Sequence, residues 1–212
     1  APDHEPMIMP PTWAWASAEQ LTALSTYGTS TKCSRDTAGM PVLRMGNIQE
    51  GRLDLGDLKY APPTPDLPLL EPGDLLFNRT NSAELLGKTA VFRGELSPCS
   101  FASYIVRLRL NGLSPDIFAA WMNSLYGRSW IADNKSQQVG QANLSAGKLM
   151  GMPVPLPPAL EQVEIVDRLQ AGLARLGDAA VDTDEIAAAS NDLRQSILAA
   201  AFRGDLTPES QA

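Results

Sequence analysis

Between residues 40 and 110 the apolar positions come in short runs broken by Gly, Pro, Asn or Asp. Val42 to Met45 precedes Gly46-Asn47, Leu53 to Leu58 precedes the prolines at 62, 63 and 65, Leu75 to Phe77 follows the Pro72-Gly73-Asp74 turn, and Ala90 to Phe92 ends at Gly94. Short apolar runs between turn formers predict strands, so this block is β-rich. Residues 103–110 continue it, with Tyr104, Val106 and Leu108 on one face and Ile105, Arg107 and Arg109 on the other. After Ser114-Pro115 the period changes: Ile117, Ala120, Trp121, Ser124 and Leu125 keep helical spacing, with Ser114 placed to cap and Pro115 in the first turn. Residues 123–131 extend that helix, with Gly127 as its weak point, and Ser145 is placed to cap a short helix ending near Met150. Trp13 and Trp15 alternate with small residues, as a strand face or entry segment packing on a core would.

Residues 151–158 hold four prolines and must be extended, which marks a hinge. Beyond it Val166, Leu169, Leu173, Leu176 and Ala180 begin a stripe of three- and four-residue steps, and a parallel line through Ile186, Leu193 and Ile197 takes over later. The pattern predicts one amphipathic helix of roughly 45 residues, about 65 Å long, weakened at Gly172 and Gly177 and stopped by Gly204. A helix of that length needs a partner helix for its stripe. The predicted organisation is therefore a linker or tail at 1–12, a domain at 13–150, a hinge at 151–158, a long helix at 159–206 and a polar tail at 207–212. Ala1 implies a chain that is processed or cut from something longer.

The 212 residues suffice for one large domain plus an appended element, and 44% apolar with 19% charged residues is a globular composition. No apolar run approaches membrane-helix length and no signal-peptide pattern opens the chain, so a cytoplasmic protein is expected. Cys33 and Cys99 have neither zinc-cluster nor disulfide-scaffold spacing, and the one histidine, His4, lies in a Pro-rich stretch. His-based triads and His-ligated metals are thereby disfavoured, and no phosphate-loop, dinucleotide or hydrolase motif is present. The net charge of −7 is unevenly spread: residues 28–150 hold 13 Lys/Arg against 11 Asp/Glu, while residues 159–212 hold four Arg against ten acids. The middle block therefore has charge enough for a phosphate-facing surface, or for ordinary scattered surface charge.

Four stretches in order, residues 40–51 (MPVLRMGNIQEG), 72–92 (PGDLLFNRTNSAELLGKTAVF), 139–166 (VGQANLSAGKLMGMPVPLPPALEQVEIV) and 193–206 (LRQSILAAAFRGDL), resemble the specificity subunits of type I restriction-modification systems. The resemblance implies an α+β chain in which a β-rich target recognition domain is followed by a long helix that pairs as an antiparallel coiled coil. In that family two such domain-helix pairs share one polypeptide. This sequence carries one, as a C-terminal half or a naturally half-sized subunit would. The implied role is non-catalytic: reading double-stranded DNA while positioning a methyltransferase and a nuclease-translocase on a split site. S-adenosylmethionine, and ATP with magnesium, would bind those partner subunits rather than this chain. The long helix would join a second copy or a second half-subunit, through Val166, Leu169, Leu173, Leu176, Ile186, Leu193 and Ile197.

Side chains able to read DNA cluster in two segments. Asn78, Arg79, Thr80, Asn81 and Lys88 form the first; Lys135, Ser136, Gln137, Gln138, Gln141 and Asn143 form the second, and Arg44 is a further candidate. Arg and Lys anchor phosphates, and with Asn and Gln they make paired contacts to base edges. Each also has a plainer role open to it, as turn former, solvated charge or backbone partner. Two other functions stay open: a coiled-coil scaffold that binds only protein, and an enzyme using Asp or Lys chemistry in the β-rich block.

Overall fold

The computed structural model describes residues 9–82, 85–138, 141–179 and 184–204. In chain order the strands are β1 (Ala14–Ser17), β2 (Thr22–Tyr27), β3 (Met40–Leu43), β4 (Ile48–Gln49), β5 (Arg52–Leu53), β6 (Lys59–Ala61), β7 (Leu75–Asn78), β8 (Thr80–Asn81), β9 (Thr89–Val91), β10 (Ser100–Phe101) and β11 (Ile105–Leu110). Helices α1 (Pro115–Asn123) and α2 (Leu125–Asn134) follow, then β12 (Ser136–Gln138), β13 (Gln141–Asn143), α3 (Ala146–Met150), β14 (Pro153–Leu156), α4 (Ala159–Ala179) and α5 (Asp184–Arg203). The chain divides into two compact units, Ser17–Met152 and a second made of Ala1–Ala16 with Pro153–Ala212. Of the described residues, 9–16 group with the helical elements.

In the Ser17–Met152 unit β11 is central, antiparallel to β2 on one side and to β7 on the other, with β9 beyond β7. A second sheet runs β10-β3-β6, a third β12-β13-β8, and β4 pairs with β5. Leu43, Ile48, Leu76, Phe92, Phe101 and Ile105, each at most 1% exposed, form the core between them. The alternation expected along β11 does not hold, since Ile105 to Leu108 are all buried. Arg107 is tolerated there because it donates to Leu69 O at 2.7 Å and Thr26 Oγ1 at 3.0 Å, and lies 3.6 Å from the buried carboxylate of Asp74.

Helix α1 starts as its sequence predicts, Ser114 Oγ accepting from Asp116 N with Pro115 in the first turn. It does not run on to Ile131. Ser124 ends it and caps α2, accepting from Gly127 N. Gly127 is needed for that corner, because a Cβ there would lie 2.1 Å from Trp121 O. Ser145 caps α3 by accepting from Lys148 N, as expected.

In the other unit the Pro-rich segment is extended, as its prolines require, and residues Pro153–Leu156 form β14, which pairs with β1. Each strand of a two-stranded sheet keeps one unpaired edge, the kind of strand to which prolines are confined. Trp13 is buried and donates from Nε1 to Glu161 Oε2 at 2.8 Å, while Trp15 stays 42% exposed. The single long helix is described as two, with 180–183 between them outside the described residues. They face each other: a Cβ on Gly172 would come 3.2 Å from Ile197 Cγ2, so the glycine permits close approach of α5. Part of the stripe finds cover within its own chain. Leu169 is buried, Val166, Leu173 and Ile197 are half-buried, and Leu193 is 52% exposed. The side chains of Leu176 and Ile186 lie outside the described residues. Helix α5 ends where predicted, with Gly204 at φ +80°. Among the described residues no helix is long and apolar enough to cross a membrane.

Candidate nucleic-acid interface

The two polar segments, nearly fifty residues apart in sequence, meet in one small sheet. In β8 and β13, Asn81 pairs with Ala142 and Thr80 with Asn143; in β13 and β12, Asn143 pairs with Ser136, Ala142 with Gln137 and Gln141 with Gln138. Helix α2 brings them together. Its Arg128 donates from Nη1 to Leu86 O at 2.5 Å, and Gly87, at φ +80°, sits where a Cβ would meet Ile131 Cδ1 at 2.7 Å. The loop between Asn78 and Lys88 closes on itself through Gly87 N to Asn78 O at 2.8 Å and Asn78 N to Lys88 O at 2.9 Å. Burial pushes the Arg128 guanidinium below its ordinary pKa. Counted from sequence as surface charge, Arg128 instead anchors the loop.

Thr80, Ser136, Gln141 and Asn143 line a cleft of about 90 Å3. Hydroxyls and carboxamides together offer uncharged donors and acceptors, the groups that pair with base edges. Asn143 Oδ1 is buried with no partner among the described residues. Arg79 stands beside this sheet: its carbonyl accepts from Leu144 N, its Nε donates to Ser103 O at 3.0 Å, and its guanidinium lies 4.9 Å from the Tyr27 ring centre. Tyr27 is half exposed, and its hydroxyl accepts from Ala146 N at 3.3 Å. Nothing in the spacing of residues marked Tyr27 as a neighbour of Arg79, because β2 joins the site only through the sheet. Lys135, half-buried, caps the end of α2 immediately before β12.

Three of the candidates do not line the cleft. Asn78 is wholly buried and donates from Nδ2 to Met45 O at 3.2 Å, so it braces the loop instead of facing a ligand. Lys88 reaches Gln49 Oε1 at 2.6 Å, and Arg44 pairs with Asp57 at 3.1 Å. The backbones of Asn81, Gln137 and Gln138 lie in the sheet, but their side chains are outside the described residues. Among the described residues no three His, Cys, Asp or Glu side chains converge as a metal site requires.

No protein-family model matches the chain. It is 29% identical over 191 residues to the type I restriction enzyme EcoKI specificity subunit of Escherichia coli K12, covering 87% of this chain and 41% of that protein. To the StySPI specificity subunit of Salmonella potsdam it is 29% identical over 177 residues, covering 81% of this chain and 38% of that one. The chain is a partial-length relative of type I restriction-modification specificity subunits. It spans about two fifths of the length of the curated relatives it matches. Its fold is that of the HsdS subunit from Thermoanaerobacter tengcongensis, with a TM-score of 0.54 at 24% identity, over 96% of this chain and 48% of the HsdS chain. The specificity-subunit fold therefore accounts for both units, the β-rich one and the helical one.

Proposed function

We propose that this chain is a non-catalytic DNA-recognition subunit of a type I restriction-modification complex, and that the β12-β13-β8 sheet reads bases. The convergence of two distant polar segments around one uncharged cleft, with Arg79 beside it, carries the reading. Uncharged amides and hydroxyls select among base edges, and an adjoining guanidinium holds the phosphate backbone or a guanine. The chain would position a methyltransferase, which binds S-adenosylmethionine, and a restriction subunit, which uses ATP and magnesium, on double-stranded DNA. On α4 and α5, Leu160, Val163 and Leu193 are 89%, 64% and 52% exposed, apolar surface that suits a second copy or second half-subunit. Two recognition units held that way would read a split site. Adenine methylation mapped in cells carrying the matching methyltransferase, with and without this chain, tests the reading. A motif methylated only when the chain is present is expected. Methylation indifferent to the chain, or protein binding with no salt-sensitive DNA binding, would favour a scaffold instead.

A further inference from the structure

Three separate segments bring cations to one spot on the Ser17–Met152 unit, at residues that do not line the cleft. Strand β3 runs antiparallel to β6 with Val42 opposite Lys59, so Arg44, just past the end of β3, lies near Lys59. Ser34 bridges to Tyr60 through two 2.9 Å backbone hydrogen bonds, which brings Arg35 to the same edge. All three cations converge on Asp57. Arg44 Nη2 is 3.1 Å from its carboxylate, Lys59 Nζ 3.9 Å and Arg35 Nη2 4.0 Å. A single carboxylate is thus shared among three cations. The neighbouring acids Asp36 and Asp54 keep their charges but turn to the backbone: Asp36 Oδ1 accepts from Ala38 N and Asp54 Oδ1 from Gly56 N, each closing its own turn.

The cluster is also pre-shaped. Asn47, 3% exposed, accepts the Arg44 backbone N–H at 2.8 Å and donates to Asp54 O at 2.8 Å. The Lys59 side chain is 20% exposed, whereas those of Arg35 and Asp57 are open, at 82% and 67%. A carboxylate that open contributes little to stability through its ion pairs. It is an anion occupying a place that a phosphodiester oxygen could share.

We propose that Arg35, Arg44 and Lys59 form a second, sequence-independent contact to the DNA phosphate backbone, with Asp57 as a built-in competitor that keeps the contact weak. The inference rests on the DNA-recognition reading and adds residues that the cleft does not include. It requires opposite signs from neighbouring substitutions. Removing a cation lowers DNA affinity; removing the acid raises it.

The test uses the full chain with its methyltransferase, on a duplex carrying the methylated motif and on a scrambled duplex, titrated from about 50 to 200 mM salt. Arg35→Gln and Lys59→Gln should each weaken binding by the same factor on both duplexes. Each should also flatten the logarithmic salt slope by about 0.9, which is about threefold less affinity lost across that range. Asp57→Asn should tighten binding on both duplexes. An unchanged slope in the Arg35→Gln, Lys59→Gln double variant, or an effect confined to the motif duplex, would overturn the proposal. So would weaker binding by Asp57→Asn with an unaltered melting temperature. If the unsubstituted chain binds neither duplex, the DNA-recognition reading itself falls; if it binds the motif duplex and these substitutions change nothing, only the second contact does.

Discussion

Asp74 is 1% exposed, and its carboxylate holds two arginines of β11: Arg109 Nε at 2.7 Å and Arg107 Nη1 at 3.6 Å, with Glu71 N donating at 2.9 Å. Replacing it by alanine would strand those cations unequally. Arg109 keeps Glu71 at 3.0 Å and a side chain 32% exposed, so water can replace the lost partner. Arg107 is 7% exposed and cannot be resolvated without disturbing β11. Removing one member of a buried pair costs about 3–5 kcal/mol. The lower end applies here, because Arg107 retains Leu69 O, Thr26 Oγ1 and the face of Phe101 at 5.4 Å. At a urea dependence of about 2 kcal/mol per molar, a loss of about 3 kcal/mol moves the midpoint by about 1.5 M. Circular dichroism of urea titrations reads that shift directly. Adding Arg107→Met to Asp74→Ala should restore most of the loss, since an apolar side chain of similar length needs no counter-charge. A shift below about 0.5 M for Asp74→Ala, or a double variant no more stable than the single one, would refute the reasoning.

Gly127→Ala forces a methyl group against Trp121 O and should cost at least about 2 kcal/mol in the same titration, separating α1 from α2. Ser114→Ala removes the α1 cap and should cost about 1 kcal/mol, recoverable by Ser114→Asp but not by valine. Burial pushes the Cys99 thiol up to about 12, and raises Cys33 less, with the Arg44 charge pulling it back. At pH 8 an alkylating reagent should therefore modify Cys33 slowly and leave Cys99 intact until the chain unfolds. Because the folded Cys99 value is the higher one, its contribution to stability is complete below about pH 9 and declines as pH rises toward 12, where urea midpoints should fall more in the parent than in Cys99→Ala.

Local chemistry was legible wherever one residue decides the backbone. Ser114-Pro115, Ser145 and Gly204 mark a helix start, a second helix start and a helix end, and the structure places each where the sequence puts it. Short apolar runs between turn formers likewise found β3, β7 and β9. Pairing across the chain was not legible. The face alternation of β11 misled because the strand is covered on both sides, and Arg107 reads as a surface cation until Asp74 is known to lie beneath it. The long stripe beyond residue 159 specifies burial without naming the partner, so its cover by α5 depended on the small volume of Gly172. For the site, residue type was enough to pick both polar segments, while their union needed α2 and the Arg128 to Leu86 bond. Sequence could not tell Asn78, a buried brace, from Thr80, which lines the cleft two residues on.

Recognition of a DNA sequence stands most directly on whether the cleft side chains decide which bases are read. Methylated adenines mapped at base resolution, in cells carrying the matching methyltransferase with the parent chain or with Gln141→Ala, measure this. Gln141 is exposed, so its loss leaves the fold intact. The prediction is a motif relaxed at one position, worth roughly 1–3 kcal/mol of discrimination, with every other position unchanged. An identical motif, methylated to the same extent, would contradict the assignment of base reading to the β12-β13-β8 sheet.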